Sequence, residues 1–236
     1  MIEHLKSAYR SVLSFDSETP KIVSFATRVL HGYSGLAVAD VGCGYGRTLR
    51  ALKARGIEAI GVEVNSEIVK RNRDDGLRCV TPAEFFGEDR QIDIMIMSHV
   101  IEHFSPEKLL DFVDRYLDRL RPGGHLIVAT PLLHPRFFDD FDHVKPYHPT
   151  GMTMVFGPGA AQVQYSSRNR LELVDVWFRR SPFAVNFARG LYIKSWTTRL
   201  WQIFNLAGAM LFRASGGIVG RPTGWVGLFR KVNSAR

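Results

Sequence analysis

Asp40, Gly42, Gly44 and Gly46 fall at alternate positions where a short apolar run, Leu36 to Val41, comes to an end. Glycines at this spacing let the backbone turn sharply and approach a ligand closely, because no Cβ intervenes. A helical pattern starts at Arg47, so its free N–H groups point at the turn. A pyrophosphate site would space its glycines as G-x-G-x-x-G. Here an acid, Asp40, stands at the strand's end and would repel a phosphate; it suits a ligand bearing an amino group or a sulfonium. A second acid, Glu63, closes the run Ile57 to Glu63, where a carboxylate can accept both hydroxyls of a ribose. A third set of groups crowds the stretch Pro131 to Pro149, which holds Asp139, Asp140, Asp142, His143 and His148. Histidine has the unperturbed pKa to take a proton near neutral pH.

The elements that must position these groups alternate between strand and helix. After the first strand and the helix from Arg47 to Ala54, Ile57 to Glu63 reads as a second strand, Ser66 to Asp74 as a polar helix and Leu77 to Val80 as a third strand. Gln91 to Met97 reads as the fourth strand. Ser105-Pro-Glu caps a helix that runs to Leu120, Arg121-Pro-Gly-Gly ends it, and His125 to Thr130 is the fifth strand. Thr153 to Phe156 is apolar, Pro158 opens a short helix to Tyr165, and Leu171 to Phe178 and Trp225 to Val232 read as strands six and seven. Residues 1–35 read as two helical segments split near Ser14 to Pro20, with Ile22, Phe25, Ala26, Val29 and Leu30 on one face.

The stretch Val38 to Leu49 is similar to motif I of the class I S-adenosylmethionine (SAM) dependent methyltransferases. Glu63 and the Pro-Gly-Gly turn before strand five extend the resemblance from about Leu36 to Leu133. It implies an α/β fold: a Rossmann-like, doubly wound, seven-stranded sheet whose strand seven enters antiparallel between five and six. A single domain over residues 1–236 is expected, with an N-terminal helical lid (1–35) and a helical, hydrophobic and basic insertion (183–220) between strands six and seven. The resemblance implies SAM as cofactor, with S-adenosylhomocysteine as its product, held by Asp40, Gly42, Cys43, Gly44, Gly46, Glu63 and Val64. The family often has an acid before the small residue after strand three to hold the adenine amino group; Pro82 stands there, so that contact is expected at Ala83 or Glu84. Ser98 and His99 are expected to face the cofactor.

Methyl transfer needs a placed nucleophile, removal of its proton and exclusion of water. His143 is the expected general base, with His148 and His103 behind it and Asp142 able to orient a neighbour. Asp139, Asp140 and Asp142 could instead bind magnesium, as in some sugar O-methyltransferases, but closely spaced acids on a loop are more often solvated and no metal is expected. His99-x-x-Glu102-His103 matches the inverted zinc-protease motif, but it follows a strand and lacks the helix that motif needs. No Asn/Asp-Pro-Pro-aromatic run follows strand four, and Cys79 lacks a Pro-Cys or Thr-Cys setting; both argue against methylation of bases by those routes. The expected reaction is O-methylation of a small-molecule, glycan or lipid-linked acceptor. The alternatives are an RNA methyltransferase and a SAM-binding module without catalysis.

Of the 236 residues, 45% are hydrophobic and 23% charged, which suits one globular α/β domain with a large core. Cys43 and Cys79 form no metal-ligand spacing and no disulfide framework. Glu3 and Lys6 stand near the start without an apolar segment, so no signal peptide is read and a cytoplasmic enzyme is expected. From Arg168 to Arg236 twelve Lys or Arg face two acids, +10, against −2 for the remainder, which together give the net +8. A basic final third suggests an anionic partner, and a membrane surface, a phosphorylated acceptor or a nucleic acid would each serve. Aromatics interleaved with Lys and Arg between Phe183 and Gly220 suit a peripheral membrane helix, a substrate pocket or a dimer contact; base stacking suits them less.

Overall fold

The computed structural model describes residues 16–30, 35, 37–158, 164–185 and 193–232. The first of the two N-terminal helical segments and most of the short helix expected after Pro158 lie outside these residues. The strands are β1 (Val38–Val41), β2 (Ala59–Val62), β3 (Cys79–Val80), β4 (Ile92–Ser98), β5 (Leu120–Pro131), β6 (Arg170–Ser181) and β7 (Arg221–Val232). The helices are α1 (Glu18–Leu30), α2 (Arg47–Lys53), α3 (Ser66–Asp74), α4 (Pro82–Gly87), α5 (Pro106–Leu117), α6 (Pro149–Phe156) and α7 (Trp196–Ala214). One sheet of seven strands has the order β3-β2-β1-β4-β5-β7-β6. The pairs from β3 across to β5 are parallel, and β7 runs antiparallel to β5. This is the Rossmann-like, doubly wound sheet expected from the sequence.

The chain divides into two compact units, residues 18–177 with 224–236, and residues 1–17 with 178–223. In the larger unit, β4 is apolar on both faces, as a central parallel strand must be. Its Met95 and Met97 join Ala39, Val41 and Val128 under α5, which contributes Leu109, Val113, Tyr116 and Leu117. Ile94 and Ile96 point the other way, with Val38, Ile127 and Val226, against Ile22, Phe25 and Ala26 of α1. The amphipathic face read in α1 is thus the face that packs on the sheet.

Buried polar groups tie the layers together. Asp93 accepts the N–H of Ala37 at 2.8 Å and an Arg121 guanidinium N–H at 2.9 Å, holding the starts of β1 and β5 beside β4. Asp114 of α5 accepts the Ser167 hydroxyl and Asn169 Nδ2, fixing the entry to β6. Lys231 donates to the carbonyls of Leu117 and Leu120 at 2.6 and 2.9 Å, satisfying acceptors at the end of α5 and the start of β5.

Several elements differ from the sequence reading, among them α6, which forms at Pro149–Phe156 where only an apolar run was read. Arg121-Pro-Gly-Gly lies inside β5: pairing passes from Ile92↔Leu120 to Ile94↔His125, and Gly123 at φ 79° supports the irregularity. Helix α5 accordingly ends at Leu117. Helix α4 forms where no helix was expected, started by a capping box between Thr81 and Glu84 with Pro82 in its first turn.

Trp225 is fully buried, and its indole N–H donates to the Tyr147 carbonyl at 2.7 Å. Replacing Trp225 by Phe leaves that carbonyl without this donor and is expected to cost about 1–3 kcal/mol. Urea unfolding of the two proteins measures the difference, and equal midpoints would show that the bond contributes nothing net.

Candidate active site

Strand order reverses between β1 and β4, and a crevice at such a switch point is where open α/β sheets take ligands. Gly42 leaves β1 at φ 71°, and a Cβ there would stand 2.5 Å from a methyl of Val100, which follows β4. Only glycine permits this approach. The Gly42 N–H donates to the Val62 carbonyl at 2.8 Å, so the turn is tied to β2 as well. Gly44, at φ 51°, has nothing within 4 Å of the position a Cβ would take, and the loop is open on that side. Gly46 caps α2 in the left-handed conformation.

Glu63 ends β2 and turns into this loop. Its Oε2 accepts the Gly44 N–H at 3.0 Å and its Oε1 the Asn65 N–H at 2.9 Å. Each carboxylate oxygen keeps a second lone pair for a ligand. A cavity of about 720 Å³ opens here, with Gly42, Glu63, Val64, Pro82, His99 and His103 in its walls; ligand sites span roughly 300–1,000 Å³. Asp40 is buried at the end of β1, and its Oδ2 has no hydrogen-bond partner among the described residues. Burial pushes its carboxyl up to about 7, helped by Cys79 and Glu63 and opposed by Arg47. Cys43 and Cys79 are free thiols 3.6 Å apart, and Asn72 donates to both sulfurs and to the Gly44 carbonyl. Their mutual hydrogen bond pushes the Cys43 thiol up and draws Cys79 down to about 7.

His99 is the non-glycine residue with positive φ, 56°, among those described. Such a backbone costs of order 1–3 kcal/mol and persists only where its surroundings fix it. Its N–H donates to the Ala129 carbonyl at 2.8 Å. Its Nε2 lies 2.8 Å from Glu18 of α1 and its Nδ1 3.1 Å from Glu102, both carboxylates buried. Glu102 also accepts the Thr130 hydroxyl at 2.9 Å. Burial pulls the imidazole pKa down, but the hydrogen bonds to Glu102 and Glu18 outweigh it and raise it to about 9. His99 is therefore an imidazolium at neutral pH, shared by two carboxylates at the cavity wall. Glu18 was missed in the sequence; only the pairing across α1 and β4 reveals it.

The other expected residues are distributed unevenly. Ser98 is half-buried and Ala83 exposed, neither in the cavity wall. Glu84 is committed elsewhere: it accepts the Thr81 N–H at 2.7 Å and pairs with Arg73 at 2.8 Å, which hold its carboxyl near 2. Pro82 and Phe86 line the cavity in its place. His103 and Asp142 are both in the wall, with His103 Nδ1 3.2 Å from the Asp142 carboxylate and 3.3 Å from its carbonyl. His143 lies behind, its ring 5.0 Å from that of His103 and its Nδ1 2.7 Å from the Phe137 carbonyl. His148 caps α6: its Nδ1 accepts the Thr150 N–H at 3.3 Å. It lines a second, apolar cavity of about 450 Å³ with Leu109, Met152 and Phe156.

The three loop acids do not gather together as a magnesium site: Asp140 and Asp142 meet each other beside His143 and His103, while Asp139 pairs with Arg136. Glu102, His103 and His143 each place one donor atom within 4.8 Å of the others, a set that could hold a metal ion. Glu102 is, however, already bonded through both oxygens to His99 and Thr130.

The methyltransferase domain family matches residues 10–191, more than half of the sequence. The chain belongs to this family, the class I SAM-dependent methyltransferases, whose cofactor is SAM. It is 25% identical over 170 residues to phosphoethanolamine N-methyltransferase 1 of Triticum aestivum, a match covering 66% of this chain and 33% of that protein. It is 29% identical over 111 residues to a ubiquinone biosynthesis O-methyltransferase of Mesorhizobium japonicum, covering 44% of each. The chain thus spans a third to less than half the length of these relatives. The crystal structure of a SAM-dependent methyltransferase from Archaeoglobus fulgidus superposes with TM-score 0.55 at 22% identity, over 92% of this chain and 96% of that one. That likeness shows the fold.

The site fits SAM on its own features: a glycine turn open at Gly44, a carboxylate at the end of β2 with lone pairs to spare, and an orphaned carboxylate oxygen on Asp40.

The pairing of His99 has a pH signature. Because its folded pKa lies above the ordinary 6.5, the stability it supplies is complete below pH 6.5 and is lost as pH rises through about 9. The melting temperature is expected to fall across that window, and less steeply in His99→Asn. Parallel curves for the two proteins would show that another group titrates there.

Proposed function

We propose that the protein methylates a hydroxyl group of a small-molecule acceptor, with glycans and lipid-linked intermediates as the acceptor classes. The observation that carries this reading is the placement of His103 and Asp142 in the same cavity wall as Gly42 and Glu63. When bound, SAM supplies a methyl group on a sulfonium, open to in-line displacement by a nucleophile.

Glu63 holds the ribose hydroxyls, and the glycine turn lets the backbone meet the ligand closely. Asp40, buried at the end of β1 and outside the cavity wall, favours the cationic amino end through its charge and not by direct contact. His103 is the general base, ahead of the more deeply placed His143. Its Nδ1–H faces the carbonyl and carboxylate of Asp142, which leaves Nε2 as the acceptor for the hydroxyl proton. His148 is poorly suited, since its Nδ1 accepts the Thr150 N–H and the neutral ring then carries its proton on Nε2. His148 and the apolar cavity it lines support an acceptor with an apolar part.

Two measurements test this. Glu63→Ala should weaken SAM binding by about 1.5–3 kcal/mol, the loss of charge-assisted hydrogen bonds; calorimetry giving unchanged affinity would move the cofactor elsewhere. His103→Ala should lower turnover roughly 10²–10⁴-fold while leaving SAM affinity near that of the parent. Turnover is read with labelled SAM against hydroxyl and amine acceptors. If His103→Ala keeps full activity while His143→Ala does not, the base is His143.

A further inference from the structure

Residues 178–223 form a compact unit together with residues 1–17, and this unit holds nine Lys or Arg and two acids, a net +7. Helix α7 leaves much of its apolar surface outside. The side chains that turn inward are Thr198, Asn205, Ala209 and Phe212, so half of the buried positions are polar. Asn205 is fixed there by accepting the Val185 N–H at 2.9 Å and donating to the Val185 carbonyl at 3.1 Å. Ser195 caps the helix through the Thr198 N–H. The outward residues are Trp196, Leu200, Ile203, Phe204, Met210 and Leu211, between 45% and 73% exposed. With the exposed Ala207 between Ile203 and Met210, the positions 196, 200, 203, 207 and 210 step by three and four, and Phe204 and Leu211 flank them, so they form one stripe along a 19-residue helix about 28 Å long. Ile218, just past the helix, is 74% exposed. Contiguous exposed apolar surface of this kind marks an interaction site, and Lys194, Arg199 and Arg213 accompany it.

We propose that α7 is an interfacial helix that lies flat on an anionic lipid bilayer, burying its apolar stripe at the headgroup boundary with its cations among lipid phosphates. No helix among the described residues is long and apolar enough to cross a membrane, and α7 lies along the surface instead. Chemistry selects this partner over the others. A second copy of the same unit would bring a net +7 against +7, which opposes self-association. A single-stranded nucleic acid takes cations and stacking rings, whereas four of the six exposed residues, Leu200, Ile203, Met210 and Leu211, offer no ring. An anionic bilayer accepts both halves of the pattern, the aliphatic stripe and the cations. The proposal is independent of the methyl-transfer reading.

Co-sedimentation of the full chain with phosphatidylcholine vesicles, with and without phosphatidylglycerol, tests it. Binding is expected only to the anionic vesicles and to weaken with salt. Arg199→Gln should lower the partition coefficient about fivefold, the effect of one basic residue near the surface. Ile203→Asp should abolish binding; since Ile203 is exposed, circular dichroism of the variant should match the parent. Equal sedimentation with neutral and anionic vesicles, no sedimentation with either, or full binding by Ile203→Asp would each overturn the proposal. So would a lipid-free dimer that Ile203→Asp dissociates, which would assign the stripe to a second copy of the chain.

Discussion

The contact between Gly42 and Val100 is the constraint on which the site depends. Strands β1 and β4 are neighbours in the sheet but distant in sequence, and their outgoing loops must diverge to opposite sides. Val100 fills the space that a side chain at position 42 would need. The glycine turn therefore sits directly on the exit of β4, and this closeness sets the floor of the cavity. Glu63, arriving from β2, then finds the Gly44 N–H within hydrogen-bond reach. One backbone turn is thus held from both sides, by packing at Val100 and by a carboxylate that also faces the cavity.

The second organising device is electrostatic. Two carboxylates, Glu18 and Glu102, are buried within reach of the cavity. Burying unpaired carboxylates is costly. His99 stands between the two as an imidazolium and supplies one positive charge to the pair. The arrangement links α1, the exit of β4, the 3₁₀ turn Ile101–His103 and, through Thr130, β5. The left-handed backbone of His99 has a conformational cost, which its Ala129 bond and the two ion pairs offset. Removing His99 leaves two buried carboxylates without their shared cation, so the cluster acts as a unit.

Much of the sheet was legible because strand and helix periods differ and glycine spacing marks a turn. Val38 to Gly46, Glu63 and the alternation within β4 each carry a local signal, and the antiparallel seventh strand came with the family resemblance. What was hidden depends on partners far apart in sequence. Glu18 and His99 are 81 residues apart, and nothing local to either announces the pair. Glu84 carried a readable signal that went unused: Thr81-x-x-Glu84 is a capping box, and a carboxylate occupied by its own helix start has little left for a ligand. His103 and Asp142 likewise needed the fold to bring them together, which is why the loop histidine His143 stood out first. The Pro-Gly-Gly segment read as a turn because its composition says so, while the sheet pulled it into β5.

Helices α1 and α7 show the limit of periodicity most clearly. Both carry an apolar stripe at helical spacing, and the sequence alone marks the stripe without marking its direction. In α1 the stripe meets the sheet, and Ile22, Phe25 and Ala26 are buried. In α7 the inward side holds Thr198 and Asn205, with hydrogen-bond partners for both, alongside Ala209 and Phe212, and the longer apolar stripe is left outside. Hydrophobicity favours removal from water in either case, but an internal face that satisfies polar groups fixes the helix in the opposite sense. A helix held this way exposes its apolar side as a consequence of its own internal bonds. The surface it presents is then as firmly specified as a core.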